Sequence, residues 1–185
     1  TQSGTYTLTG MDANGCINRT NKTITVHALP TISINSSVAS STICLGDQIN
    51  FTASGAVLYT WSGGISNGVS FSPATTTAYT VTGTDINGCV GTANKTVIVN
   101  TLPTIGAISN PVSASVCIGG NIILNGTGGV SYIWSDGVIN GQLFTPSQTT
   151  TYTVTGTDAN GCVNTSTVTI TVVTVPTADV SADAT

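Results

Sequence analysis

Five cysteines and three Asp-x-Asn-Gly turns are the residues of this chain whose types and spacing could do chemistry. The cysteines form two periodic sets. Cys16, Cys89 and Cys162 lie 73 residues apart (89 − 16 and 162 − 89), and so do Cys44 and Cys117 (117 − 44). Regularly spaced cysteines in a turn-rich, charge-poor chain point to disulfides and an oxidising compartment. Buried free thiols are the plainer alternative. Two connectivities stay open. Within one repeat, Cys44 would pair with Cys89 and Cys117 with Cys162. In a sandwich, however, Cys44 falls near the turn between the first two strands, and Cys89 follows the last hairpin turn at the opposite end. About seven strand residues at roughly 3.3 Å each separate those ends, against a Cα limit of about 7 Å for a disulfide. Between repeats arranged head to tail, Cys44 would meet Cys162, leaving Cys16, Cys89 and Cys117 for repeats outside this segment.

Asp12, Asp85 and Asp158, with Asn14, Asn87 and Asn160 two positions on, resemble the opening of a calcium loop. They lack the later ligands and the closing Glu that such a loop needs. Aspartate also caps turns through local hydrogen bonds, so the turn reading is preferred, and no metal or cofactor is expected. Acid–base or hydrolytic chemistry needs a carboxylate pair, an oriented histidine or a metal cluster. The one histidine, His27, is in phase with Asn100 and Val173, so it is no part of the repeat. No HExxH, GxSxG, phosphate loop or zinc-ligand spacing occurs, and an enzyme is not expected. Lys22 and Lys95 share a phase, but Val168 replaces them in the third copy, which argues against a repeat-wide Lys–Asn isopeptide bond. The Asn-x-Ser/Thr sequons, such as those at Asn50 and Asn94, are expected by chance in so threonine-rich a chain.

The element that must position the first cysteine set occurs three times: YTLTGMDANGC (Tyr6–Cys16), YTVTGTDINGC (Tyr79–Cys89) and YTVTGTDANGC (Tyr152–Cys162). A constant period of this size marks a tandem array. Residues 1–30 read as the closing hairpin of a truncated repeat, 31–103 and 104–176 as complete repeats, and 177–185 as the start of another. Pro30, Pro103 and Pro176 share one phase and stiffen the junctions. Thr1 already falls inside a repeat, so the chain reads as a segment of something longer.

Within 31–103, strands are expected over 31–35, 48–54, 57–61, 69–72, 78–84 and 90–99. Ile49, Phe51 and Ala53 alternate with Asn50, Thr52 and Ser54, the pattern of a half-buried antiparallel strand. Val57, Tyr59 and Trp61 continue the alternation, and Tyr79, Val81 and Gly83 point inward. Residues 104–176 repeat this with no insertion or deletion. No helical periodicity appears, and short strands with turn signals every 8–12 residues indicate an all-β antiparallel sandwich. The expected core is Phe51, Phe71, Phe144, Tyr79, Tyr152, Trp61 and Trp134. The tryptophans have a second reading as stacking platforms for a sugar ring.

Only three of 185 residues are Lys or Arg, and the net charge is −4. That excludes the basic surface that nucleic acid or an anionic membrane requires. No apolar run approaches the roughly 20 residues of a membrane span.

The combined pattern is Cys-x-Gly, an alternating strand, Tyr-x-Trp-Ser, a short strand ending in Pro, Thr-Thr-Thr-x-Tyr-Thr-Val-Thr-Gly-Thr-Asp-x-Asn-Gly-Cys, then a Val-rich closing strand. It resembles the PKD-like and immunoglobulin-like repeats of very large surface proteins of Bacteroidota. Where the PKD type carries Trp-Asp-Phe-Gly-Asp-Gly, this chain reads Trp61-Ser-Gly-Gly64 and Trp134-Ser-Asp-Gly137, which favours the immunoglobulin-like variety. The resemblance implies cell-surface, extracellular location, export by the type IX secretion system, and roles in adhesion or gliding, or attachment to secreted polysaccharide-degrading enzymes. The expected function is a non-catalytic structural or adhesive stalk segment whose partners are neighbouring repeats. A carbohydrate-binding accessory module that contacts surface glycans, and a filament subunit that shares strands between copies, are the alternatives.

Overall fold

A computed structural model describes residues 2–176; the expected start of a further repeat at 177–185 lies outside the described residues. The chain divides into two compact units, Thr1–Ser41 with Gln48–Ile98, and Thr42–Asp47 with Val99–Thr185. The short segment 42–47 therefore belongs to the second unit although it lies within the span 31–103 expected to be one repeat.

In chain order the strands are β1 (Gly4–Met11), β2 (Ile17–Ile24), β3 (Ser33–Ser36), β4 (Thr42–Cys44), β5 (Phe51–Ser54), β6 (Leu58–Trp61), β7 (Thr77–Thr84), β8 (Val90–Asn100), β9 (Gly106–Asn110), β10 (Ser115–Cys117), β11 (Ile122–Thr127), β12 (Ser131–Trp134), β13 (Leu143–Phe144), β14 (Thr150–Thr157) and β15 (Val163–Val173). The protein is all-β, and β7 and β14 begin 73 residues apart (150 − 77), as do β8 and β15 (163 − 90).

In the first unit β3 pairs with β5, and β6, β7 and β8 form an antiparallel run in the order β8–β7–β6. Thr, Val and Tyr at alternate positions suit this pleat. Phe51, Val81 and Val97 are fully buried, with Ile49, Ala53, Trp61 and Tyr79 nearly so. Phe51 stacks on Trp61 (centroids 5.7 Å) and meets Phe71 and Tyr79 edge-on at 5.6 and 5.9 Å, geometries that add to the burial term.

Two expected strands are shorter than the alternation suggested. Ile49 is buried but joins only an isolated bridge to Phe71, so β5 starts at Phe51 and the 69–72 strand reduces to that bridge. Val57, expected inward with Tyr59 and Trp61, is 70% exposed. It precedes β6 at the edge of the run, where its N–H donates to Thr84 O and no opposite sheet covers its side chain.

The second unit is a sandwich of two sheets, β10–β15–β14–β12 and β13–β11–β9. Ile105, Val116, Ile122, Leu124, Trp134, Tyr152, Val154 and Ile170 fill the space between them. β10 runs parallel to β15, a departure from the expected antiparallel order. Ala114, at φ 51°, turns the chain into that edge, and Thr171 N–H donates to its carbonyl. Leu124 and Ile170 stand where the first unit has Phe51 and Val97 (124 − 51 and 170 − 97 are both 73), so one side chain shrinks as the other grows.

One backbone position recurs for a steric reason. Gly55 and Gly128 have φ of 103° and 86°, and a Cβ at either would land on the carbonyl oxygen of Thr31 or Thr104. Only glycine combines that dihedral with so close a backbone approach.

The β1–β2 hairpin forms a two-stranded sheet of its own. Tyr6, Leu8 and Ile24 are 59%, 70% and 49% exposed, whereas their equivalents Tyr79, Val81 and Val97 are buried. The same sequence motif thus shows its apolar face open in one copy and covered in the others.

Candidate functional site

The hairpin tip is built identically in all three repeats. Asp85 Oδ1 accepts the N–H groups of Asn87 and Cys89, both at 2.8 Å. Asp158 does the same for Asn160 and Cys162 at 2.8 Å, and Asp12 for Asn14 and Cys16 at 2.9 Å. Asp85 N–H donates to Cys89 O, and Gly88 N–H to Asp85 O. Gly88 has φ 80°, while Asn87 is not among the positive-φ residues. This is a three-residue loop, a type I turn closed by a left-handed glycine, and not the two-residue Asn-Gly turn, which needs φ > 0 at both positions. The carboxylate decides the difference, because it takes two N–H groups that only the longer loop aims at it.

The same bonds bear on the calcium reading of Asp12, Asp85 and Asp158. One oxygen of each carboxylate is already engaged by two backbone donors, and among the described residues no group of three or more His, Cys, Asp or Glu is placed to hold a metal ion. Asp85→Ala is expected to cost about 1 kcal/mol, for lost hydrogen bonds at an exposed turn, read as a lowered urea midpoint. Millimolar calcium is expected to leave the melting temperature of the unmodified protein where it was. A clear calcium-dependent rise, lost in Asp85→Ala, would restore the metal reading.

Each tip ends on a cysteine, and the three are in different states. Cys162 is fully buried and bonded to Cys44, with Cα atoms 5.5 Å apart at a sequence separation of 118. Cys89 is half-buried and free, and Cys16 is exposed and free. In the second set Cys44 is bonded, while Cys117 is exposed and free. The within-repeat pairing, Cys44–Cys89 with Cys117–Cys162, is therefore not the one present, since Cys89 and Cys117 both carry thiols. The reason is local. Segment 42–47 packs with the second unit, where Leu45 N–H donates to Asn100 O at 2.8 Å. Cys44 N–H donates to Asp47 Oδ2 and Asp47 N–H to Cys44 O, folding the segment into a short arm that carries the sulfur.

Trp61 and Trp134 are 8% and 5% exposed. A ring so covered offers no face for a sugar to stack on, which corrects the platform reading. Each indole has a polar partner that the sequence reading missed. Trp61 Nε1 donates to Asn67 Oδ1 at 3.3 Å, and Trp134 Nε1 to Asn140 Oδ1 at 3.0 Å. The same oxygens accept the N–H of Ala53 and Gly126 at 2.7 Å. The Trp-x5-Asn spacing, the same in Trp61–Asn67 and Trp134–Asn140, is the signal that could have found them. Tyr59 and Tyr132 likewise clamp a loop, each hydroxyl donating to one carbonyl and accepting the N–H of the same residue, Ala56 or Gly129.

His27 lines a shallow surface depression with Gln2, Ser3, Val26 and Ala28, away from any second titratable side chain of that depression. A cavity of about 200 Å³ beside β13 contains one carboxylate, Asp136, among otherwise neutral residues. Among the described residues no helix is long and apolar enough to cross a membrane.

No protein-family model and no curated protein sequence matches the chain. Solved structures resemble it at a distance. One, described as a calcium-stabilised adhesin that helps an Antarctic bacterium reach out and bind ice, is 18% identical, with a TM-score of 0.42 over 96% of this chain. The chain spans 58% of that structure's length. A second, from a 1.5-MDa bacterial ice-binding adhesin, is 18% identical with a TM-score of 0.33, covering 80% of this chain and 67% of that one.

Proposed function

We propose that this chain is a non-catalytic structural and adhesive stalk segment of an extracellular surface protein or filament. The observation that carries the reading is the Cys44–Cys162 bond, which ties a residue of the 31–103 repeat to one of the 104–176 repeat. Pulled at its two ends, a polypeptide passes tension through such a bond and shields everything between the two sulfurs. Here the shielded loop spans 118 residues, most of both complete repeats. A bond that closes so long a loop suits a load-carrying spacer. Tandem units whose neighbours are further units of the same kind suit the same role, and a disulfide requires the oxidising conditions found outside the cell. Type IX export and gliding rest on the resemblance to Bacteroidota repeats alone. Burial of both tryptophans counts against the carbohydrate-binding alternative.

Single-molecule stretching tests the proposal. Tethered through its termini, the oxidised protein is expected to release roughly 400 Å less contour length than the reduced protein, from 118 residues at about 3.3–3.6 Å each. Equal lengths in the two states would remove the load-bearing role.

A further inference from the structure

The two complete repeats differ at one surface site. Gly63, Ser66, Val69 and Ser70 of the 31–103 repeat correspond to Asp136, Ile139, Gln142 and Leu143 of the 104–176 repeat, each 73 positions on (136 − 63 = 73). Those four differences build the cavity of about 200 Å³ beside β13, where Asp136, Ile139, Gln142 and Leu143 meet Val138 and Phe144. Ile139 and Leu143 are 68% and 60% exposed, and Phe144 is half-buried. Ser66, Val69 and Ser70 are exposed in a repeat that another repeat follows, so a following repeat leaves the equivalent surface open.

The carboxylate of this cavity is held in place. Thr153 N–H donates to Ser135 Oγ at 3.1 Å, and the Ser135 hydroxyl donates to Asp136 Oδ2 at 3.0 Å. The same serine anchor exists in the other repeat, where Ser62 Oγ accepts Thr80 N–H at 2.9 Å, but no carboxylate follows it. Asp136 has φ 55°, in the left-handed region that Gly63 occupies at φ 69° without a side chain to strain it. An aspartate therefore stands where glycine fits the backbone better. Among the described residues Asp136 Oδ1 has no hydrogen-bond partner and no basic side chain pairs with the carboxylate.

We propose that this cavity is a docking site for a lysine side chain of a partner protein. Its size argues for a single side chain, since small-molecule sites run to roughly 300–1,000 Å³. Its walls argue for an amphipathic one, whose apolar stem lies against Ile139, Leu143 and Phe144 while its ammonium reaches Asp136 Oδ1. Lysine suits the site better than arginine. A guanidinium pairs best with both oxygens of a carboxylate at once, and Oδ2 already accepts the Ser135 hydroxyl. Charge argues for a different protein as the source: this chain has two lysines, Lys22 and Lys95, and a net charge of −4, so a basic partner complements it.

The site goes beyond the stalk reading and fails separately, because the stretching measurement reads the loop closed by Cys44 and Cys162 whatever binds at Asp136. The test is an NMR titration of the full chain with Nα-acetyl-lysine methylamide, with the norleucine and arginine analogues as comparators. The lysine probe is expected to shift the Ile139 and Leu143 methyl signals saturably in the millimolar range, and both comparators to bind more weakly. Asp136→Asn is expected to bind the lysine probe at least about tenfold more weakly, through loss of a charge-assisted hydrogen bond. Asp136→Gly is expected to lose binding and keep its melting temperature, because glycine holds the same conformation at residue 63. Leu143→Ser, which copies Ser70 of the other repeat, is expected to weaken binding with the fold intact. No saturable shift at Ile139 and Leu143, a norleucine or arginine probe that binds as tightly as lysine, or an unchanged titration of Asp136→Asn would each overturn the proposal. So would the same shifts on concentrating the protein alone, which would make the occupant a second copy.

Discussion

Replacing Cys44 by alanine is expected to lower the stability of this protein by about 2–5 kcal/mol, the range for losing a disulfide that closes a long loop. The loop here spans 118 residues, so the constraint on the unfolded chain is near the upper end of what a single bond supplies. Cys162 is fully buried, so Cys44→Ala leaves an unbonded thiol in a closed site and Cys162→Ala leaves a small void. The double variant separates the bond from these side effects. If the bond is the cause, the two single variants and the double lose similar amounts, and the double-mutant cycle returns a coupling close to the whole loss. Urea unfolding of the four proteins, each with an intact-mass check on Cys44 and Cys162, measures it. A loss below about 0.5 kcal/mol for the double variant would mean that the bond closes a loop already constrained by other contacts.

Phe51→Ala is expected to cost about 3–5 kcal/mol, the range for deleting a fully buried aromatic side chain. Phe51 is 0% exposed and touches the rings of Trp61, Phe71 and Tyr79. Its removal therefore takes away one side of three aromatic contacts and leaves a cavity that the stiff strands β5 and β7 cannot collapse into. A loss of that size is comparable to the whole stability of a small domain. Tryptophan fluorescence and circular dichroism of Phe51→Ala should then show one unit unfolded at temperatures where the other persists. The third repeat suggests a milder experiment. It has Leu124 and Ile170 in one core where the second repeat has Phe51 and Val97. Phe51→Leu with Val97→Ile should recover part of what Phe51→Leu alone loses, with a coupling of at least 0.5 kcal/mol. Strict additivity of the two substitutions would show that the two repeats fill their cores independently at these positions.

Much of the fold can be read directly from the residue pattern. Tyr79, Val81 and Gly83 alternate with threonines, and a pleated strand with one covered face has no other way to place them. Phe51, Trp61, Trp134 and Tyr152 are buried as their alternation implied. The pattern misleads at the edges. Val57 continues the alternation but lies outside the covered part of its sheet. Tyr6 and Leu8, which carry the same motif as Tyr79 and Val81 in a hairpin read as part of an incomplete repeat, are exposed and were not among the expected core residues. The parallel strand β10 was illegible for a related reason: three residues, Ser115–Cys117, are too few to show a period, and their pairing is decided by the edge of β15.

The cysteines and tryptophans mark the same boundary. By itself the sequence determined the 73-residue phase, and with it the division of five cysteines into two sets, because periodicity is a property of the chain alone. It also determined that Asp85 and its equivalents cap a turn, since donor and acceptor are two to four residues apart. Tertiary structure decided that Cys44 bonds Cys162 while Cys89 and Cys117 stay free, and that Asn67 and Asn140 hold the indoles. Local geometry propagates over a few residues through short-range hydrogen bonds. A sulfur 118 residues away is brought within reach only by the packing of segment 42–47 with the unit that carries Cys162.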